Sequence, residues 1–299
     1  MPTNEQRRET AKRKLERQLE RRAQQERKRR MMTIIGGVVA VVVVIAAAAG
    51  TYVVTHKDSG SATASADPST PTSEAAAPAG GPTAAPPATG KLPAFTPSAA
   101  TGANCQYPAA EAASKPNKPP RTGKVPTDPP QISASMTTNQ GNIGLQLDNA
   151  KAPCTVNSFA SLIGQKYFDN TKCHRLTTSS SLGVLQCGDP KGDGTGGPGY
   201  QFGNEYPTDQ YPPNDPKAQE PVVYPRGTLA MANAGPGTNG SQFFLVYKDS
   251  ELPPQYTVFG TIQPDGLAVL DKIAKAGVAG GGEDGPPASE VQIKSILLD

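Results

Sequence analysis

The stretch MANAGPGTNGSQFF, residues 231–244, decides the fold of this 299-residue chain. The strand-like run GTLAMA leads into it and the run QFFLVY leaves it, with a turn rich in glycine between them. Successive side chains of a strand point to opposite faces, so only one of Phe243 and Phe244 can face a core. Taken alone, both residues would be read as ordinary core phenylalanines.

Outward from this stretch, residues 131–299 read as a folded domain of short strands and two helices. Strand-like runs alternate with loops rich in glycine and proline, which favours a mainly β barrel with capping helices. A turn at residues 139–142 joins the first two strands into a predicted hairpin. The predicted elements include strands over 132–136, 143–147 and 291–298, and helices over 151–164 and 267–276.

The blocks around residues 231–244 resemble the signature of the cyclophilin family, in the family's order. The family's F-H-R, Q-G-G-D, glycine-rich and V-F-G blocks are matched by His174-Arg175, Gln186–Asp189, Gly194–Gly197 and Val258–Gly260. The resemblance covers residues 131–299 and looks like a membrane-anchored bacterial branch of actinobacterial type. It implies a closed eight-stranded antiparallel barrel capped by two helices, and peptidyl-prolyl cis/trans isomerase activity.

Rotation about an X–Pro bond is slow because it breaks amide resonance, at a barrier of about 20 kcal/mol. No covalent intermediate is needed. A fixed cation or donor near the proline nitrogen, or near the turning carbonyl, helps the twisted form more than the planar form. Arg175 is the candidate, because its guanidinium is always charged and carries several donors.

The resemblance implies the remaining site residues one by one. Gln186 is expected to act with Arg175 as a catalytic residue, and Phe244 to form the floor of a proline pocket. His174 is expected to be a hydrogen-bonding structural residue rather than a base. The expected substrate-binding residues are Val184, Ala232, Asn233, Ala234, Gln242, Phe244, Leu252 and Tyr256.

The apolar wall departs from the family pattern. Gly183 and Val184 stand where the family has a phenylalanine and a methionine, and an alternative alignment places Leu182 in the pocket. The family's pocket histidine is Tyr256 here, and Glu251 or Ser250 lies near the place of its tryptophan. Since that tryptophan contributes to cyclosporin binding in the family, weak cyclosporin binding is expected.

Four cysteines follow the apolar N-terminal run, and their spacing is not that of a zinc site. Sequence alone allows three pairings of two disulfides, and free buried thiols are the alternative. In the family fold the strands of Cys173 and Cys187 are neighbours. The resemblance therefore implies a Cys173–Cys187 bond, with Cys105–Cys154 as the second pair.

The N-terminal part has a different character. Residues 1–30 are basic, and residues 31–56 carry no full charge. Within the uncharged segment, the 22 residues 33–54 are rich in apolar side chains. As a helix they would be about 33 Å long, enough to span a membrane. The charge bias places the N-terminus in the cytoplasm and the rest outside. A cleaved signal peptide is the alternative to a single-pass helix. The basic run is read as the charge block that sets this orientation, with binding to nucleic acid or anionic lipid as the alternative. No nucleic-acid partner is expected.

Residues 57–130 contain 15 of the 31 prolines and few large apolar residues. This composition is typical of a disordered extracytoplasmic spacer, although residues 105–130 are expected to lie against the domain.

Two functions are therefore weighed for residues 131–299. One is an extracytoplasmic prolyl isomerase that acts on proline-containing polypeptides, and the other is a non-catalytic scaffold or chaperone module that binds them. The pair Arg175 and Gln186 favours the enzyme. With only two histidines, neither a metal site nor a cofactor is expected.

Overall fold

The alternating runs at residues 132–147 form the hairpin that their pattern predicts. The computed structural model, which describes residues 90–299, pairs Ile132 with Leu147 and Thr137 with Asn142. In the turn between the strands, Gly141 has a φ of 141°, a conformation that favours glycine. The predicted basic segment, the transmembrane helix and the spacer up to residue 89 lie outside the described residues.

Thirteen strands and two α-helices occur in residues 90–299. The strands are β1 (Gly90–Lys91), β2 (Ile132–Thr138), β3 (Asn142–Leu147), β4 (Thr171–Lys172), β5 (Arg175–Thr177), β6 (Gly183–Cys187), β7 (Val222–Tyr224), β8 (Thr228–Met231), β9 (Phe243–Lys248), β10 (Ser250–Leu252), β11 (Val258–Ile262), β12 (Asp284–Gly285) and β13 (Gln292–Leu298). The helices are α1 (Pro153–Gly164) and α2 (Pro264–Ala276), and short 3₁₀ turns cover Thr208–Gln210, Pro216–Gln219 and Ala279–Gly281.

Ten strands form one antiparallel sheet in the order β12-β5-β6-β9-β8-β11-β3-β2-β13-β4. The mainly β prediction with two helices is confirmed, but a closed eight-stranded barrel is not. Eight strands lie between two edge strands, β12 and β4, of two residues each. An isolated bridge joins Lys172 of β4 to Asp189, which follows β6, but within residues 90–299 no bridge joins β4 to β12. The sheet is therefore curled, and its two edge strands do not pair.

Helix α1 packs its buried face against the curled sheet. Phe159 on its buried face contacts Phe243 of β9 and Phe259 of β11, with ring centroids 5.3 and 5.0 Å apart. Phe243 is fully buried there, whereas Phe244 packs in a second, smaller cluster. The strand alternation therefore assigns the two phenylalanines to different faces, as the sequence predicts.

Residues 90–130, here called the strap, pack against the sheet, which differs from the predicted spacer up to residue 130. Tyr107 is buried against Tyr200 and Phe202, at ring distances of 5.6 and 5.5 Å. Cys105 exchanges two backbone hydrogen bonds with Gly123. The expectation that residues 105–130 lie against the domain agrees with these contacts, and residues 90 and 91 also pair with it, as β1 on β7.

The residues from 90 to 299 include no helix that is both long and apolar enough to cross a bilayer.

Helix α1 receives its N-terminal cap from a distant residue. Ala152, at the N-cap, has a methyl side chain that cannot accept a hydrogen bond. Instead, the Glu205 carboxylate accepts from the backbone N–H groups of Cys154 and Thr155, at 2.9 and 2.7 Å. It also accepts from Thr155 Oγ1 at 2.7 Å. Desolvation outweighs these bonds and raises the pKa of Glu205 to about 7, from an ordinary 4.5.

This cap makes folding stability depend on pH. Between about pH 4.5 and 7 the native state binds more protons at Glu205 than the unfolded chain does, so the free energy of unfolding falls as pH rises through this window. The variant Glu205→Gln does not titrate at this position. We expect the difference in free energy of unfolding between the wild type and this variant to change by on the order of 3 kcal/mol from pH 4.5 to 8. Urea unfolding at both pH values measures it, and parallel pH curves for the two proteins would contradict the assignment.

Candidate functional site

Arg175 and Gln186 face each other across paired strands. They are register partners on β5 and β6, and Arg175 Nη1 donates to Gln186 Oε1 at 3.3 Å. Gln186 Nε2 donates to Gln242 Oε1 at 2.9 Å, and Gln242 Nε2 donates to the carbonyls of Gly194 and Gly196, each at 2.9 Å. Because arginine only donates, this chain of bonds fixes which way both amides point.

A second contact on the guanidinium comes from a part of the chain that the sequence analysis did not single out. Arg175 Nε and Nη2 donate to the two carboxylate oxygens of Asp284, both at 2.7 Å. The hydrogen bond from Arg175 lowers the pKa of Asp284, and the pKa of Arg175 is raised in turn. The side chains are 40% and 54% exposed, so the pair contributes more to orientation than to stability.

Asp284 reaches Arg175 because β12 pairs with β5 at the edge of the sheet, where Gly285 is the register partner of Leu176. The residues that form the ion pair are 109 positions apart in sequence. A two-residue strand in a glycine-rich loop has no recognisable periodicity, so the sequence offered no signal for this contact.

An apolar wall lies next to the polar chain. Phe244 is the register partner of Gln186 on the neighbouring strand, and its ring meets that of Tyr256 edge to face at 5.7 Å. Leu252 packs on the same cluster as Phe244. The strand pairing therefore places the predicted catalytic amide and the predicted pocket floor side by side.

The segment 182–184 at the start of β6, for which the sequence allows two alignments, contributes two residues to that wall. Val184 is a buried member of the Phe244 cluster, and Leu182 packs against it. Gly183 between them leaves no room for a side chain, because a Cβ there would lie 2.9 Å from Lys248 Cβ and 3.2 Å from the Tyr247 ring. The family's phenylalanine could not be accommodated at Gly183 without movement of these neighbours.

The loop after β8 supplies the third part of the site. Ala232 N donates to Gln242 O at 2.9 Å, and Ala234 N donates to Thr238 Oγ1 at 2.8 Å. The Asn233 side chain donates to Gln255 O at 2.9 Å, which holds the loop beside the segment that carries Tyr256. Within residues 90–299 the backbone N–H and C=O of Asn233 have no hydrogen-bond partner, so they are available to an extended peptide.

His174 differs from its predicted role. Its Nδ1 is buried and has no hydrogen-bond partner within the described part of the chain, and burial lowers its pKa. Its ring lies beside Gly194, next to the site, and the expected hydrogen bond is absent at Nδ1. Among residues 90–299 no group of three His, Cys, Asp or Glu side chains is placed to hold a metal ion.

Both predicted disulfides form. Cys187, the last residue of β6, is joined to Cys173, two positions before Arg175, with Cα atoms 4.0 Å apart. Cys105 and Cys154 join the strap to the first turn of α1, with Cα atoms 5.3 Å apart. The bond at Cys173–Cys187 fixes the two strands that carry the polar half of the site.

The chain is similar to known peptidyl-prolyl cis-trans isomerases. The model of the family described as cyclophilin type peptidyl-prolyl cis-trans isomerase/CLD matches residues 133–297. The chain is 73% identical over 209 residues to a probable peptidyl-prolyl cis-trans isomerase B of Mycobacterium leprae, covering 70% of this chain and 71% of the relative. It is 72% identical to a protein of the same description from Mycobacterium tuberculosis, covering 70% and 68%.

A solved structure of a cyclophilin type isomerase from Cryptosporidium parvum is 29% identical, covers 56% of this chain and 98% of its own, and superposes with a TM-score of 0.44. The family model spans more than half of this chain and includes Arg175, Gln186, Gln242 and Phe244. The chain therefore belongs to the cyclophilin family of peptidyl-prolyl cis/trans isomerases.

Proposed function

We propose that this isomerase accelerates X–Pro rotation in extracytoplasmic polypeptides without a covalent intermediate, and that Arg175 stabilises the twisted amide. At the twist the proline nitrogen regains its lone pair, and a fixed guanidinium lowers the energy of that form more than that of the planar form. The observation that carries the proposal is the bonded chain Arg175–Gln186–Gln242 beside the Phe244 wall.

Each part of the site has its own proposed role in binding or catalysis. The proline ring rests on Phe244, Val184, Leu252 and Tyr256, which are the apolar side chains of the wall. The residues before the proline lie along Ala232–Ala234, where the Asn233 backbone is free to bond them. Gln186, which is itself bonded to Gln242, holds the guanidinium together with Asp284, so that the guanidinium does not have to reorganise when the amide twists.

The test is exchange NMR on an Ala-Pro peptide with the full chain. Catalysis predicts cis/trans exchange far above the uncatalysed rate, which corresponds to roughly 10–100 s per event. A scaffold that only binds proline-containing peptides would shift the peptide resonances without accelerating exchange. That outcome would reject the proposed mechanism.

Asp284 is expected to be a positioning residue for Arg175. In Asp284→Asn the bidentate pair is lost and the guanidinium no longer has one orientation, so we expect kcat to fall about tenfold with KM nearly unchanged. Asp284→Glu, which can rebuild the ion pair, should restore most of kcat. A lower kcat in both variants, or a change confined to KM, would contradict this role.

The location outside the cytoplasm is part of the proposal. It is supported by the basic N-terminal segment before an apolar run and by two disulfides, which form in oxidising compartments. A phosphatase or fluorescent reporter fused after Asp299 tests the orientation, and a cytoplasmic reporter would overturn it. Weak cyclosporin binding is also proposed, since the chain has no tryptophan and Glu251 lies near the position of the family's tryptophan.

A further inference from the structure

A cavity of about 260 Å³ lies beside the catalytic amides. It is bordered by Gln186 and Gln242, by the glycine-rich segment 194–199 and by Ala232–Ala234, whereas neither Phe244 nor Tyr256 lines it. Its volume corresponds to roughly nine water molecules at about 30 Å³ each, enough for one long side chain.

One wall of this cavity comes from the strap. Ala110, Glu111 and Ala112 line it, and they lie outside residues 133–297, the part that the family model matches. The wall is fixed by backbone bonds to the glycine-rich segment, from Ala110 N to Gly199 O at 3.0 Å and from Ser114 N to Gly197 O at 2.9 Å. This part of the cavity is therefore built by residues that lie outside the range matched by the family model.

Glu111 is the only residue with a full charge that lines the cavity. Its side chain is exposed and has no ion-pair partner within residues 90–299. Two further charges lie at the rim: Asp193 accepts from Thr195 at 2.7 Å, and Lys191 Nζ lies 3.4 Å from the same Thr195 hydroxyl. The three charges leave the cavity with a net negative charge.

We infer that Glu111 gives this cavity a preference for a lysine or arginine side chain two positions before the proline of the substrate. The inference rests on the proposed function, in which the proline lies on Phe244 and the preceding residues lie along Ala232–Ala234. Because the cavity borders that loop and not Phe244, it faces the residues before the X–Pro bond. A long basic side chain fits within its volume, and Glu111 in the cavity wall is the carboxylate that would attract its charge.

The inference is tested with three peptides, acetyl-Xaa-Ala-Pro-Phe-amide with Xaa as Lys, Ala or Glu, and the full chain in low salt. We expect kcat/KM for the Lys peptide to exceed that for the Glu peptide about two- to fivefold, the range of one exposed ion pair. The ratio should fall towards one in 1 M salt, which screens exposed charges. It should also fall in Glu111→Gln and reverse in Glu111→Lys.

Glu220→Gln is the matched control, because it removes the same charge from an exposed residue that does not line the cavity, and it should keep the wild-type ratio. Equal rates for the three peptides with the wild-type chain would overturn the charge preference alone. Exchange at the uncatalysed rate with every peptide would instead overturn the proposed function. A Lys preference retained in Glu111→Gln would show that another group supplies it, and would also overturn the inference.

Discussion

Arg175→Ala is expected to lower kcat/KM for an Ala-Pro peptide by about 10²- to 10³-fold, the typical cost of removing one preorganised donor from a transition state. Arg175 donates to Gln186 and to both oxygens of Asp284, so it is fixed before substrate arrives. Removing it leaves the apolar wall and the Asn233 backbone in place. Exchange NMR with equal concentrations of the two proteins measures the ratio.

Arg175→Lys separates charge from geometry. Lysine keeps the charge but cannot form the forked pair with Asp284 while it also reaches Gln186, so an intermediate rate is expected. Circular dichroism should show that both variants remain folded, since Arg175 is half-exposed and its ion pair adds little stability. Wild-type catalysis in Arg175→Ala would reject the mechanism while leaving the family assignment intact.

The second large effect concerns stability. Replacing Cys105 and Cys154 together by alanine should lower the free energy of unfolding by about 4 kcal/mol, because the bond closes a loop with a sequence separation of 49. For a domain of this size that corresponds to roughly 10 °C in Tm. The same change frees the strap, so the preference for a lysine two positions before proline should be lost as well.

The matched variant replaces Cys173 and Cys187, whose separation is 14, with an expected loss of about 3 kcal/mol. This bond joins the residues next to Arg175 and Gln186, so its loss should also lower kcat, whereas the charge preference should persist. Thermal unfolding followed by circular dichroism measures both variants. If the Cys105/Cys154 variant unfolds like the wild type and keeps the charge preference, the strap is not held by this bond.

Much of the site follows from local sequence patterns. Alternation along β9 separates Phe243, which packs on α1, from Phe244, which forms the wall. The strand pairing of Arg175 with Gln186 and both disulfides agree with what the family resemblance implies. The alternation is local information in the sequence, whereas the strand pairing and the disulfides were implied by the family resemblance.

The features that the sequence did not predict depend on contacts between distant segments. Asp284 meets Arg175 across 109 residues, and Glu205 caps α1 across about 50 residues, without any periodic signal. The strap has the composition of a disordered spacer, yet Tyr107, Val125 and one disulfide anchor it to the sheet. A few buried residues are enough to order a segment whose average composition is typical of disorder.

The central claim is that Arg175 accelerates rotation of a proline amide that the rest of the site binds. The most direct measurement is the cis/trans exchange rate of a peptide at saturating concentrations of the full chain, compared between wild type and Arg175→Ala. The expected result is similar peptide affinity in both proteins, with bound-state exchange that is fast in the wild type and close to the uncatalysed rate in the variant. Equal bound-state exchange rates in the two proteins would contradict the claim.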